Sequence, residues 1–226
     1  MVDDETFTSR GEGIWSICEP FELLGARFGR RMVVVKRNGW TGIVTPGQHV
    51  RRSIEAGFGG DFPVHGLIAL TAFHDTFFLE STEAYPDARR MVSAAFDAGV
   101  PDTLEVHAAW PDCWRDELVL YPIDGMPKVQ ETVVYDRANQ TLIVSDLFFY
   151  FDASWDLWTK TFFRMAGAYG KPRMSRLFRL CIKDRAAFKR SLAKLLDLPI
   201  RQILPSHGKI VDRDCHRVLK GLLSQA

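Results

Sequence analysis

The stretch Val64-His65-Gly66-Leu67-Ile68-Ala69-Leu70-Thr71-Ala72 limits the possible folds more than any other. It is apolar but lacks the two-residue alternation of a half-solvated strand, which is the pattern of a strand covered on both faces. Such a strand needs a layer of structure on each side. Residues 75–85 read as a helix, with Asp75 as its cap and Pro86 just past its end, and Arg90-Met91-Val92 returns as a strand. Strand, helix and strand joined at this length predict a parallel crossover.

The flanking sequence supplies partners. Ile14–Ile17 and Met32–Val35 read as strands, the second ending at the hairpin signal Asn38-Gly39, and Gly42–Val44 follows as a third. Val50, Ile54 and Phe58 recur at helical spacing. Pro101 to Asp112 reads as a loop with some helix. Glu117–Tyr121, Glu131–Tyr135 and Thr141–Val144 read as strands, the last two joined by a turn over 136–140. Residues 155–168 and 174–183 are expected to be helical. Asp184 is an N-cap ahead of the stripe Phe188, Leu192, Leu195 and Leu196. Ile203–Pro205 is a last strand, and Asp212 caps a terminal helix that buries Val218, Leu219, Leu222 and Leu223. No repeat or linker divides the chain, so one domain over 1–226 is expected, with 1–12 as a flexible tail. Strands in both halves, with helices between and after them, predict two packed sheets with helices outside.

Composition narrows the function classes. A chain of 226 residues buries roughly seventy per cent of its unfolded surface without help from disulfides or metals. A net charge of +1 argues against a partner held by the charge of the whole molecule. Cys18, Cys113, Cys181 and Cys215 form no CxxC pair, so free thiols in a reducing compartment are expected. The acidic start MVDDETFTSRGEG is neither a secretory signal nor a transit peptide, and no apolar run reaches the roughly twenty residues of a membrane span. A cytoplasmic location is the expectation. From Lys160 to Lys194 there are eleven Lys or Arg and one acid, Asp184. This reads as a solvated helical face or as a rim that attracts an anion. Arg173, Arg176 and Arg179 share roughly one helical face, and Arg176 is the candidate for contacting an anionic substrate. No base-stacking motif accompanies the charge, so specific nucleic-acid recognition is not expected.

Three loops leave strand ends carrying polar residues: "TAFHDTF" at 71–77, "IVSDLFF" at 143–149 and "ILPSHGK" at 203–209. In order and spacing they resemble the metallo-β-lactamase superfamily, whose first loop reads T-H-x-H-x-D-H. The wider stretches "GRRMVVVKRNG", "FHDTFFLESTEAYPDAR", "QETVVYDRANQTLIVSDL", "YGKPRMSRLFRL" and "ILPSHG" resemble a domain-of-unknown-function branch of that superfamily with a depleted metal motif. The resemblance implies an α+β chain folded as a four-layer αββα sandwich, with a cleft at one edge of the sheets. Carried over residue by residue, Ala72, Thr76 and Phe77 replace motif ligands, and no histidine lies in Ile123 to Lys128, where the middle one belongs.

His74, Asp146 and His207 survive. Two ligands per metal are too few for a dinuclear site. Together the three offer two imidazoles and a carboxylate to one Zn, Fe or Mn ion. His74, Asp75 and His207 are the candidate catalytic acids and bases, and Phe77, Phe149 and Arg176 the candidate substrate contacts. The expectation is a hydrolase-like protein, mononuclear or metal-free, acting on an ester, thioester, lactone or phosphoester. The alternative is a non-catalytic descendant in which the cleft binds a small molecule or protein. His49, His65, His107 and His216 read as structural or exposed.

Overall fold

The N-terminal third folds back on itself through tight turns. Strands β1 (Thr8–Gly11), β2 (Ile14–Leu23), β3 (Ala26–Arg37) and β4 (Trp40–Val44) pair antiparallel in sequence order. Leu24-Gly25 joins β2 to β3, and Asn38-Gly39 joins β3 to β4. All four turn residues have positive φ, between 49° and 77°, as the turn type that matches strand twist requires. In the computed structural model, which describes residues 6–73, 76–96, 99–151 and 156–226, the sheet continues through parallel strands. Helix α1 (Val50–Phe58) leads to β5 (Gly66–Ala69), and α2 (Phe78–Ala84) leads to β6 (Arg89–Val92), with β7 (Thr103–Glu105) at the edge. The predicted crossover is present.

After α3 (Val106–Ala109), strands β8 (Leu118–Pro122), β9 (Thr132–Asp136) and β10 (Thr141–Val144) open a second sheet. Helices α4 (Leu157–Met165), α5 (Arg176–Leu180) and α6 (Arg185–Leu196) follow. Strand β11 (Gln202–Pro205) then pairs parallel to β10, and α7 (Cys215–Leu223) ends the chain. The order in this sheet is β11-β10-β9-β8.

The core lies in three layers. Val33, Val35 and Ile68 of the first sheet meet Val134, Ile143 and Leu204 of the second. Ile54 of α1 and Phe78 of α2 pack on the outer face of the first sheet, against Val34 and Leu67. Phe188 and Leu192 of α6, with Leu219 and Leu222 of α7, cover Val133, Leu142 and Ile203 on the outer face of the second. This is the expected αββα arrangement. Strand β5 is covered twice, with Leu67 facing the outer layer and Ile68 the inner one. An ion pair also crosses between the sheets: Arg37 of β3 lies 3.2 Å from Asp136 of β9, which is fully buried.

Several expectations need correction. Thr8–Gly11, assigned to a flexible tail, pairs with β2. Residues 103–105 form a parallel edge strand inside the expected loop, too short to show a period. β2 and β3 are ten and twelve residues long, far beyond the two four-residue cores read from sequence. Helix α7 starts at Cys215, and its N-cap is Asp214 in the left-handed region, not Asp212. Helix α2 begins at Phe78 without a side-chain cap. Its expected cap, Asp75, lies outside the described residues, as does His74.

Candidate functional site

The three polar loops meet at the same edge of the sandwich, each held by a different device. The loop after β5 is stitched to the approach to β9: Ala72 N donates to Val129 O at 3.0 Å, and Thr132 N donates to Leu70 O at 2.8 Å. The loop after β10 wraps a buried carboxylate. Glu131, 1% exposed, accepts from Ser145 N at 2.9 Å with one oxygen and from Asp146 N at 3.0 Å with the other. The loop after β11 is fixed by Arg31 of β3, whose guanidinium donates to Pro205 O and Gly208 O at 2.6 and 3.0 Å. Arg31 N also donates to Ser206 O at 2.7 Å. One guanidinium nitrogen, Nη1, thus satisfies two carbonyls of the loop.

His207 is held between these supports. Its Nδ1 lies 2.9 Å from Gly29 O, a carbonyl that can only accept, so Nδ1 carries the proton. That leaves Nε2 as the basic nitrogen, 3.7 Å from Asp146 Oδ1. In the neutral imidazole a lone pair therefore faces a carboxylate, and a positive charge between or upon them resolves the conflict. Gly208 follows at φ +83°, where an added Cβ would come within 2.4 Å of Tyr150 O. Ser-His-Gly therefore owes its glycine both to a left-handed turn and to a close approach of two backbones.

Burial pushes the Glu131 carboxyl up to about 8, and the Asp146 carboxylate adds to the rise. Backbone amides of Ser145, Leu147 and Asp146 oppose it. Near neutral pH Glu131 therefore holds a proton, and Asp146 is the anion that faces His207.

Next to the pair is a cavity of about 420 Å³. Its walls are aromatic: Phe21 and Phe28 from the β2–β3 hairpin, Phe149 after β10, and Phe162 and Phe163 from α4. The polar lining is Arg30, Thr76, Asp146, Ser175 and His207. Arg30 lies over the Phe77 ring, 5.1 Å from its centroid. An apolar cavity with a few converging polar groups is the form of a small-molecule site. A similar cavity of about 480 Å³ lies between β2 and α1, lined by Glu19, His49 and Arg52, and none of the three loops reaches it.

Asp146, His207 and Phe149 thus line one cavity. Phe77 stands beside it, edge-on to Phe21 at 5.9 Å. Arg176 is exposed at the start of α5 and does not line the cavity. His74 and Asp75 lie outside the described residues; Phe73 and Thr76, on either side of them in the sequence, both line it. Sequence reading missed Glu131, Gly29, Arg30 and Arg31. Paired arginines interrupting a branched apolar strand were a signal for the last two, since a buried cation needs partners.

Among the described residues, no three His, Cys, Asp or Glu side chains come together to hold a metal ion. Of the positions that the resemblance assigns to ligands, several of the described ones carry no imidazole or carboxylate. Ala72, Thr76 and Phe77 have neither, and 123–128 contributes only Asp124, whose carboxylate is engaged by Ser191 Oγ at 3.0 Å.

The layered sheets, with the cavity at their edge, define the chain's class: it has the metallo-β-lactamase fold. It is similar over 97% of its length to a metallo-β-lactamase from Pontibacter korlensis, at 15% identity, 99% coverage of that chain and a TM-score of 0.62. The metallo-β-lactamase from Erythrobacter litoralis matches 97% of this chain and 92% of its own at 15% identity, with a TM-score of 0.65. FIM-1 from Pseudomonas aeruginosa in its mono-zinc form matches 97% and 95% at 14% identity, with a TM-score of 0.64. No protein-family model matches the chain. No curated protein matches it either.

Proposed function

We propose that this chain is a hydrolase of the metallo-β-lactamase superfamily, from a branch with a depleted metal motif, acting on a small apolar ester, thioester or lactone held in the Phe-lined cavity. The observation that carries the reading is the orientation of His207: Nδ1 bound to Gly29 O, and Nε2 turned towards Asp146 inside that cavity. His207 Nε2 takes a proton from water, and Asp146 stabilises the imidazolium that results. The hydroxide adds to the substrate carbonyl carbon. Arg30 supports the developing oxyanion, and the leaving oxygen or sulfur departs with the proton from His207. Phe77 and Phe149 shape the apolar part of the site, and Arg176, exposed outside the cavity lining, meets any anionic group that the substrate carries outside the cavity. Asp75, between Phe73 and Thr76 in the sequence, is a second proton acceptor.

His74, Asp146 and His207 would hold a single Zn, Fe or Mn ion. Such an ion supplies a more acidic bound water and a Lewis acid at the carbonyl. Free thiols at Cys18, Cys113, Cys181 and Cys215 support a cytoplasmic, reducing location.

The test combines turnover and metal content. Wild type is expected to hydrolyse a panel of aryl esters and acyl thioesters, with His207→Ala and Asp146→Asn each losing about 10²–10⁴-fold while keeping their circular dichroism. Plasma mass spectrometry on wild type, His74→Ala and His207→Ala decides between the ion and the proton. About one equivalent, abolished by both substitutions, assigns the positive charge to a metal. Saturable binding of the same esters without turnover would establish the alternative, a binding descendant of the fold.

A further inference from the structure

Around the mouth of the Phe-lined cavity the surface is apolar and basic together. Large hydrophobic side chains stand in solvent along α4 and α5: Leu157 (77% exposed), Trp158, Met165, Leu177 and Leu180 (72%). The tip of the β2–β3 hairpin adds Leu23 and Leu24. These belong to one surface. Trp158 Nε1 donates to Leu24 O at 3.1 Å, joining α4 to the hairpin, and Arg176 N donates to Ala166 O at 2.8 Å, joining α4 to α5. Leu23 and Leu177 also line the cavity, so the patch borders the entrance.

The charge contributed by α4, α5 and the segment between them has one sign. Between Leu157 and Lys183 the chain has seven Lys or Arg and no Asp or Glu, leaving the rest of the molecule net acidic. Arg164, Arg176 and Arg179 are exposed beside the apolar residues. The acids on adjoining elements are engaged: Glu22 pairs with Arg27 at 3.3 Å, and Asp156 caps α4 through Thr159 N at 3.0 Å.

We propose that this face docks on an anionic lipid surface, with the exposed leucines and Trp158 in the headgroup boundary and the arginines on lipid phosphates. Exposed apolar side chains interleaved with cations are what interfacial binding requires, one supplying buried area and the other attraction to the leaflet. A second copy of the chain is a poorer occupant, because a two-fold interface would set these like-charged faces against each other. Docking would present the cavity entrance to the bilayer, where an apolar ligand is already concentrated. It does not depend on which reaction, if any, the cavity performs.

The test is co-sedimentation of the full chain with phosphatidylcholine vesicles, with and without roughly a third phosphatidylglycerol, at about 0.1 M salt and again at about 1 M. Binding is expected to the anionic vesicles at low salt and to be weakened at high salt. Leu157→Asp with Leu180→Asp, both solvent-exposed positions outside the cavity lining, should reduce partitioning on the order of tenfold or more, as should Arg164→Glu with Arg179→Glu. Equal binding to neutral vesicles, no binding to either, or binding unchanged in both double variants would overturn the proposal. So would a concentration-dependent dimer, abolished by the same substitutions, in protein that ignores vesicles.

Discussion

Glu131 shows how a single buried carboxyl can organise a loop and at the same time make it sensitive to pH. Each of its oxygens accepts from a different backbone amide, so neither can be exchanged for an NH₂ without setting donor against donor. Glu131→Gln is therefore expected to cost about 1–3 kcal/mol, read as a shift in denaturant midpoint. The folded-state value of about 8 lies well above the ordinary carboxyl value of 4.5. Between those values the folded protein holds a proton that the unfolded chain has lost. This group's contribution is full below about pH 4.5 and disappears as pH rises through about 8. Wild-type stability should fall between about pH 5 and pH 8, with a shallower fall in Glu131→Gln. A wild-type profile as shallow as the variant's would place the proton elsewhere. Gly208 makes a simpler prediction. Gly208→Ala must displace either its own turn or the Tyr150 carbonyl, costing about 1–3 kcal/mol. It should also lower any turnover by moving His207, which calorimetry and kinetics on the same preparation would separate.

At the scale of elements, the ion pair between β3 and β9 ties the two sheets together. Asp136 accepts from Arg37 and also from Asn139 N and Nδ2, at 3.1 and 2.7 Å. Asp136→Ala leaves the buried guanidinium only the partly exposed Glu117 carboxylate, 3.1 Å from its Nε, and should cost about 3 kcal/mol. Arg37→Met with Asp136→Leu should recover part of that in urea titrations, because the desolvation penalty goes with the charges. The elements also show what was legible in the sequence. Strand β5 and the parallel crossover could be read because burial on both faces leaves an unbroken apolar run. Helix α6 could be read because Asp184 caps it through Ala187 N ahead of a regular stripe. The long β2–β3 hairpin could not: Glu19, Pro20, Glu22, Arg27 and Arg30 break the pattern where its strands leave the core and become a wall of the cavity. The site was legible to the same degree. Asp146 and His207 stand out beside strand ends, whereas Gly29 and Arg31 act through backbone groups, which composition does not reveal.

For the whole molecule, the core between the sheets couples the halves of the chain. Trp114 is fully buried there, among Leu118, Val134 and Ile143 of the second sheet and Ile68 of the first. We propose that the chain unfolds as one unit. Tryptophan fluorescence and far-ultraviolet circular dichroism should then give coincident urea transitions. A separate early transition in either signal would divide the chain into independently stable parts. Among the described residues no helix is long and apolar enough to cross a membrane.

The β2–β3 hairpin combines two features that chains often keep apart. Its base, at Gly29 and Arg31, fixes the histidine and the loop that carries it, while its outer end, at Leu23, Leu24 and Gly25, forms the lip of the cavity. In an antiparallel ribbon, residues can be added or removed in pairs at the tip without changing the register below. The ribbon is thus an adjustable ruler. Related chains could lengthen or shorten it to accept larger or smaller ligands while the chemistry at its base stays where it is.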